Sequence, residues 1–222
     1  MSLEADKNSL IEKLKKTDCN RVPLVREVLA DLDTPLSTYL KLANAPYSYL
    51  FESVQGGEKW GRYSIIGLPC RTVIKINRRT VITEVDGKVV TEEQVNDPLG
   101  WITEFQQRYQ VHEDVKLPRF TGGLFGYFGY ETIAYIESRM DHDEKPDPLG
   151  TPDILLMVSD EVIVFDNLSG KLFIIVHVDP NQPGALADGE KRLQAIEDGL
   201  RKPVPATPGH EARQVNEADF VS

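Results

Sequence analysis

Cysteine is scarce: Cys19 and Cys70 are the only two in 222 residues. That is too few for a disulfide framework, and neither sits in a metal-ligand spacing. Both read as free thiols of a reducing compartment. No apolar run approaches the roughly 18 residues of a membrane span, which argues against a transmembrane helix. The first residues, MSLEADKNSL, lack the hydrophobic stretch of a signal peptide, so a cytoplasmic protein is expected. Positive charge is also short. Against 25 Lys and Arg stand 35 Asp and Glu, giving a net charge of -10 and a pI near 4.9. Such a surface repels phosphate backbones, so nucleic acid is not an expected partner. The G-x-S-x-G elbow, the P-loop and H-E-x-x-H are all missing. His112, His142, His177 and His210 are scattered. His177, among Val and Ile, reads as a strand residue rather than a ligand.

What is present suffices for a core. Hydrophobic residues make up 41 % and charged residues 27 %, so stability requires neither disulfide nor metal. At roughly 100 to 200 residues per domain, the length allows one large domain or two small ones. Residues 6–16 carry Leu10, Ile11 and Leu14 on one helical face. A strand is expected within 22–32, then a helix capped by Thr34 with Pro35 in its first turn, running to about Ala43. Short β-rich runs follow at 47–54, 63–68, 72–77, 81–85 and 88–90, with Asp86-Gly87 as a hairpin turn. Asp97-Pro98 opens a second helix. A strand is expected near Leu124–Phe128, and a helix from about Glu131. Then come two long β runs, ILLMVSDEVIVFD and KLFIIVHVD, joined by Asn167–Gly170, and an amphipathic helix over 184–201. The tail, rich in Pro, reads as a linker. The strands come as hairpins, which predicts an α+β fold: a largely antiparallel sheet with helices packed on it.

Three stretches raise chemical questions. MDHDE (140–144) lacks the spacing and the glycine of a calcium loop and reads as a solvated loop. GGLFGYFGYE (122–131) interleaves glycine with aromatic residues, which fits close backbone packing better than a phosphate loop and leaves a pocket-wall role open. In YLFESVQGGEKWGRYSIIGLP (49–69), Glu52 and Ser53 end a run, Tyr49–Phe51, that reads as buried. A partly buried carboxylate needs a partner. Arg62 could supply it as an internal ion pair. The other reading is an amino-acid-sized pocket: Glu52 meets an ammonium, Ser53 hydrogen-bonds, and Arg62 or nearby backbone meets a carboxylate, with Gly56 and Gly57 letting the turn fold over the ligand.

NAPYSYLFESVQGGEKWGRYSIIGLP (44–69) resembles the N-terminal region of anthranilate synthase component I, departing mainly at Phe51 and Gln55. GGLFGYFGYETIAYIE, DPLGTPDILLMVSDEVIVFDN and VPLVREVLADLDTPLSTYLKLA agree as well, in order along the chain. The resemblance implies part of a site for feedback inhibition by L-tryptophan, made of Leu50, Phe51, Glu52, Ser53, Arg62, Tyr63 and Ser64. It implies residues 1–202 as a regulatory domain and 203–222 as a linker into a C-terminal chorismate-binding catalytic domain that lies outside this chain. It further implies a lyase that turns chorismate into anthranilate with Mg2+ and with ammonia from a glutaminase subunit. No residue here matches the catalytic or metal motifs, so this chain alone is expected to be inactive and cofactor-free. An apolar surface left uncovered would favour a homo-oligomer. Two other readings stay open: the same region of aminodeoxychorismate synthase component I, and a self-standing amino-acid-binding module.

Overall fold

The structure, a computed structural model, describes residues 19–54, 60–112, 117–137, 139 and 149–205, without the side chains of Ser53, Val54 and Trp60. The helix expected over 6–16, the Gly56–Gly57 turn, the MDHDE loop and most of the tail lie outside these residues.

Among the described residues, ten strands form two five-stranded sheets. The first holds β1 (Val22–Leu29), β10 (Lys171–Val178), β9 (Glu161–Asp166), β3 (Trp60–Gly67) and β2 (Tyr49–Val54), in that spatial order. The second holds β6 (Lys88–Gln94), β5 (Thr80–Val85), β4 (Thr72–Asn77), β8 (Ile154–Ser159) and β7 (Gly123–Phe128). Every pairing within them is antiparallel. The α+β class is as expected, but the expected single sheet is two. ILLMVSDEVIVFD, which reads as one strand, changes sheets at Asp160. Its partner ribbon crosses at the same level: Gly67 pairs with Val162 in the first sheet, Thr72 with Val158 in the second. The near-continuous burial of β8 and β9 follows, since one face of each strand meets the other sheet and the opposite face meets a helix.

The helices complete four layers. α1 (Pro35–Leu42) and α3 (Ala185–Leu200) cover the first sheet, with Leu193, Ile196 and Leu200 packed on Ile66, Ile163, Phe165 and Ile174. α2 (Pro98–Gln107) covers the second sheet through Trp101 and Phe105. Val73, Met157, Val162, Val164 and Ile175 fill the space between sheets. Local chemistry sets the helix starts. The Thr34 hydroxyl accepts from Ser37 N at 3.1 Å while Ser37 Oγ accepts from Thr34 N at 3.0 Å, and Pro35 presets the first turn. Asp97 accepts from Gly100 N at 2.9 Å and caps α2. No helix among the described residues is long and apolar enough to cross a membrane.

The Gly-aromatic block forms β7, and packing explains its spacing. A Cβ on Gly126 would lie 1.8 Å from the Leu155 carbonyl oxygen, so β7 and β8 approach this closely only over a glycine. The α-helix expected from Glu131 is instead a 3-10 helix, Tyr130–Tyr135. Asp153 holds it short: its carbonyl accepts from Gly129 N at 2.7 Å, and its carboxylate accepts from the Tyr135 hydroxyl.

Candidate functional site

β2 is an edge strand of the first sheet and β7 an edge strand of the second. At one flank of the sandwich they stand together. The Tyr49 ring stacks on Phe125 at 3.8 Å, and Phe51 meets Phe125 edge-on at 5.0 Å. Tyr49 lies over Gly67, its cross-strand partner, where a Cβ would fall 2.0 Å from the ring. The Tyr49 hydroxyl hydrogen-bonds Ser159 Oγ at 2.8 Å, and burial pushes its pKa up to about 12. The phenol is therefore a structural anchor, neutral at any working pH.

Beside this aromatic stack is an open cleft of about 420 Å³, lined by Phe51, Glu52, Arg62, Tyr63 and Ile65. Phe51 and Ile65 are directly opposed on β2 and β3. The buried run expected at Tyr49–Phe51 is corrected here: Tyr49 is buried, but Phe51 is 53 % exposed. Phe51 lies on an edge strand, against Phe125 and beside the open cleft.

The Glu52–Arg62 ion pair read from the sequence does not form. Arg62 pairs with Asp166 instead, Nε at 3.3 Å from one carboxylate oxygen and Nη2 at 3.0 Å from the other. Its guanidinium lies 4.8 Å from the centre of the Tyr63 ring. Asp166 is buried at 5 % exposure, and its Oδ1 also accepts from Leu168 N at 3.1 Å. The Arg62 hydrogen bonds hold the Asp166 carboxyl below the usual carboxylate range. Glu52 stands exposed at the rim, paired with no cation among the described residues.

Four of the residues singled out from sequence thus share one cleft: Phe51, Glu52, Arg62 and Tyr63. Leu50 and Ser64 do not line it. Leu50 packs toward the helical side of the sheet, and strand alternation puts the buried Ser64 on that same face, where Asn167 Nδ2 donates to its hydroxyl at 3.4 Å. Glu52, the cross-strand partner of Ser64, and Arg62 start from that face too and border the cleft at its rim. Ser53 belongs to β2, and its side chain lies outside the described residues. Sequence reasoning missed Asp166 and Asn167, reading Asn167–Gly170 only as a turn. A signal was there: a carboxylate ends the apolar run EVIVFD, as Glu52 ends its own.

An apolar wall with one carboxylate and one anchored guanidinium suits a small zwitterion with an aromatic or aliphatic side chain. Among the described residues no three His, Cys, Asp or Glu side chains come together to hold a metal ion.

The profile of the family described as chorismate binding enzyme matches residues 48–221. Anthranilate synthase component 1 of Pseudomonas aeruginosa is 55 % identical over 203 residues, which is 90 % of this chain and 41 % of that protein. The protein of the same name from Aquifex aeolicus is 37 % identical over 88 % of this chain and 39 % of its own length. Among solved structures, anthranilate synthase component I of Streptococcus pneumoniae superposes with a TM-score of 0.52 at 25 % identity, over 80 % of this chain and 37 % of that one. The chain spans about 40 % of the length of the curated relatives it matches. The block 44–69 that builds the cleft lies almost wholly within the matched region, and the chain belongs to the family of chorismate binding enzymes.

Proposed function

We propose that this chain is the N-terminal, regulatory part of an anthranilate synthase component I and carries part of the site at which L-tryptophan inhibits it. Residues 1–202 form that part, and 203–222 lead toward a chorismate-binding catalytic region. The complete cytoplasmic enzyme is a lyase of tryptophan biosynthesis. It turns chorismate into anthranilate with Mg2+ and with ammonia from a glutaminase subunit. The described residues bring together no three His, Cys, Asp or Glu side chains that could hold that metal.

The observation that carries the regulatory reading is the cleft itself: an exposed carboxylate, an anchored guanidinium and an apolar wall within one 420 Å³ space. Glu52 takes the ammonium, Arg62 faces the carboxylate, and Phe51, Tyr63 and Ile65 receive the indole. Ser53, whose side chain lies outside the described residues, belongs to the same proposed site through its place on β2. Leu50 and Ser64 support β2 and β3 from behind. Inhibition also requires that tryptophan bind one state of the whole enzyme better than the other.

The exposed apolar residues at the end of β7 and on the 3-10 helix support a larger assembly. Phe128, Tyr130 and Ile136 are 54, 80 and 72 % exposed, with Tyr127 and Ile133 beside them in the chain. Such an apolar surface suits coverage by further polypeptide of the same protein, and without that cover it favours self-association.

Calorimetric titration with L-tryptophan tests the site. Saturable binding is expected, weakened tenfold or more in Glu52→Ala, because a charge-assisted hydrogen bond contributes about 1.5–3 kcal/mol. Binding unchanged in Glu52→Ala overturns the assignment, and a parent chain that binds nothing overturns the cleft as a sensor in its own right.

A further inference from the structure

The geometry points to Asp166 as the positioning residue of this cleft, holding Arg62 so that one fixed edge of its guanidinium is presented to a ligand carboxylate. The inference rests on the reading that the cleft takes a free amino acid.

A guanidinium has two edges able to grip a carboxylate with paired N–H groups: the side edge, Nε with Nη2, and the end edge, Nη1 with Nη2. Asp166 occupies the side edge, at 3.3 and 3.0 Å. Three N–H groups remain, and two of them, one on each Nη, form the end edge. The Tyr63 ring lies 4.8 Å from the guanidinium carbon and limits rotation out of that plane. An arginine side chain that is 56 % exposed would otherwise sample many rotamers. Here the choice is made before a ligand arrives, which lowers the ordering cost of binding.

Asp166 is itself held from several sides. It is the last residue of β9, opposite Tyr63 in the register, and does not line the cleft. Leu168 N donates to its Oδ1 at 3.1 Å. Asn167 then ties the hairpin turn to the start of β3. Its main-chain N donates to Arg62 O at 2.8 Å and its Nδ2 to Gly61 O at 3.0 Å. The β9–β10 turn therefore fixes both the backbone and the head group of Arg62. Asp166 acts on a ligand through Arg62 and touches none itself.

The simpler alternative is an ion pair that only fastens the turn to β3. Two ligands and a double-mutant cycle separate the two roles. L-tryptophan and tryptamine, which lacks the carboxylate, are titrated into the chain, Asp166→Asn, Arg62→Ala, the double variant and Arg62→Lys. Thermal melting verifies that each is folded. Asp166→Asn is expected to weaken L-tryptophan about tenfold, to leave tryptamine unchanged, and to add nothing in the Arg62→Ala background. Arg62→Lys, which keeps the charge but lacks the end edge, is expected to lose L-tryptophan affinity to a similar extent and to keep tryptamine. Equal weakening of both ligands by Asp166→Asn, or a full effect without Arg62, overturns the inference. So does tryptophan binding by Arg62→Lys at the parent's affinity. The Nε–H resonance of Arg62, followed by NMR in the chain and in Asp166→Asn, gives a readout free of any ligand. Loss of its protection from exchange is expected, and an unchanged resonance overturns the positioning role. If the chain binds neither ligand, the tryptophan reading falls while this resonance still decides what Asp166 does.

Discussion

At the residue scale, the sequence showed which side chains carry charge and which are small, but not whom each would meet. Glu52 and Arg62 look like partners in sequence, ten positions apart on neighbouring strands. Their register instead puts Glu52 opposite Ser64, and Arg62 turns to Asp166. A partner 104 residues away leaves no local trace. Gly126 is the opposite case. Glycine between aromatic residues signals a close approach, and the Leu155 carbonyl supplies the reason. Gly126→Ala is expected to force β7 off β8 and destabilise the chain by about 1–3 kcal/mol, the usual cost of overpacking. Urea denaturation checks this, and an unchanged midpoint would show that the strand shifts without strain.

At the scale of elements, boundaries set by local chemistry were legible. The Thr34-Pro35 and Asp97-Pro98 starts hold because capping uses atoms within three residues of one another. The Asp86-Gly87 turn joins β5 to β6 as its dipeptide suggests. Thr34→Ala removes the hydroxyl acceptor at the start of α1 and is expected to cost about 1 kcal/mol. The measured sign is a lower denaturant midpoint with an unchanged m-value. Thr34→Asp, which restores an acceptor, should recover most of the loss. The crossing at Asp160 was not legible. β8 and β9 are apolar on both faces, so hydrophobic periodicity carries no mark where one sheet hands over to the other.

At the scale of the whole molecule, the crossing is also where pH acts. His177 N donates to Asp160 O at 2.9 Å, its Nε2 donates to Thr121 O at 2.9 Å, and Arg21 lies 3.7 Å from the Asp160 carboxylate. Burial lowers the His177 pKa below the usual 6.5 and raises that of Asp160 above its usual 3.8. For His177 the unfolded chain takes up a proton first, so stability falls as pH drops from about 6.5 toward the lower folded value. Asp160 acts oppositely: its folded form holds the proton longer, so its contribution is lost as pH rises from about 3.8 through its folded value. Melting temperature is therefore expected to drop between pH 7 and pH 5, and less steeply in His177→Gln. Parallel pH profiles for the two proteins would assign the slope to other groups.

The sequence alone determined the α+β class, the hairpins, the helix starts and the short block, residues 44–69, part of which lines the cleft. Each of these rests on neighbours in the chain, on strand alternation, or on the residue types of one short block. Tertiary structure decided that there are two sheets, that Phe51 faces a cleft while Leu50 and Ser64 face helices, and that Asp166 owns Arg62. The physical reason is common to all three. Sheet partition, strand edges and ion-pair partners depend on which distant strands lie side by side, and local sequence constrains that pairing only weakly.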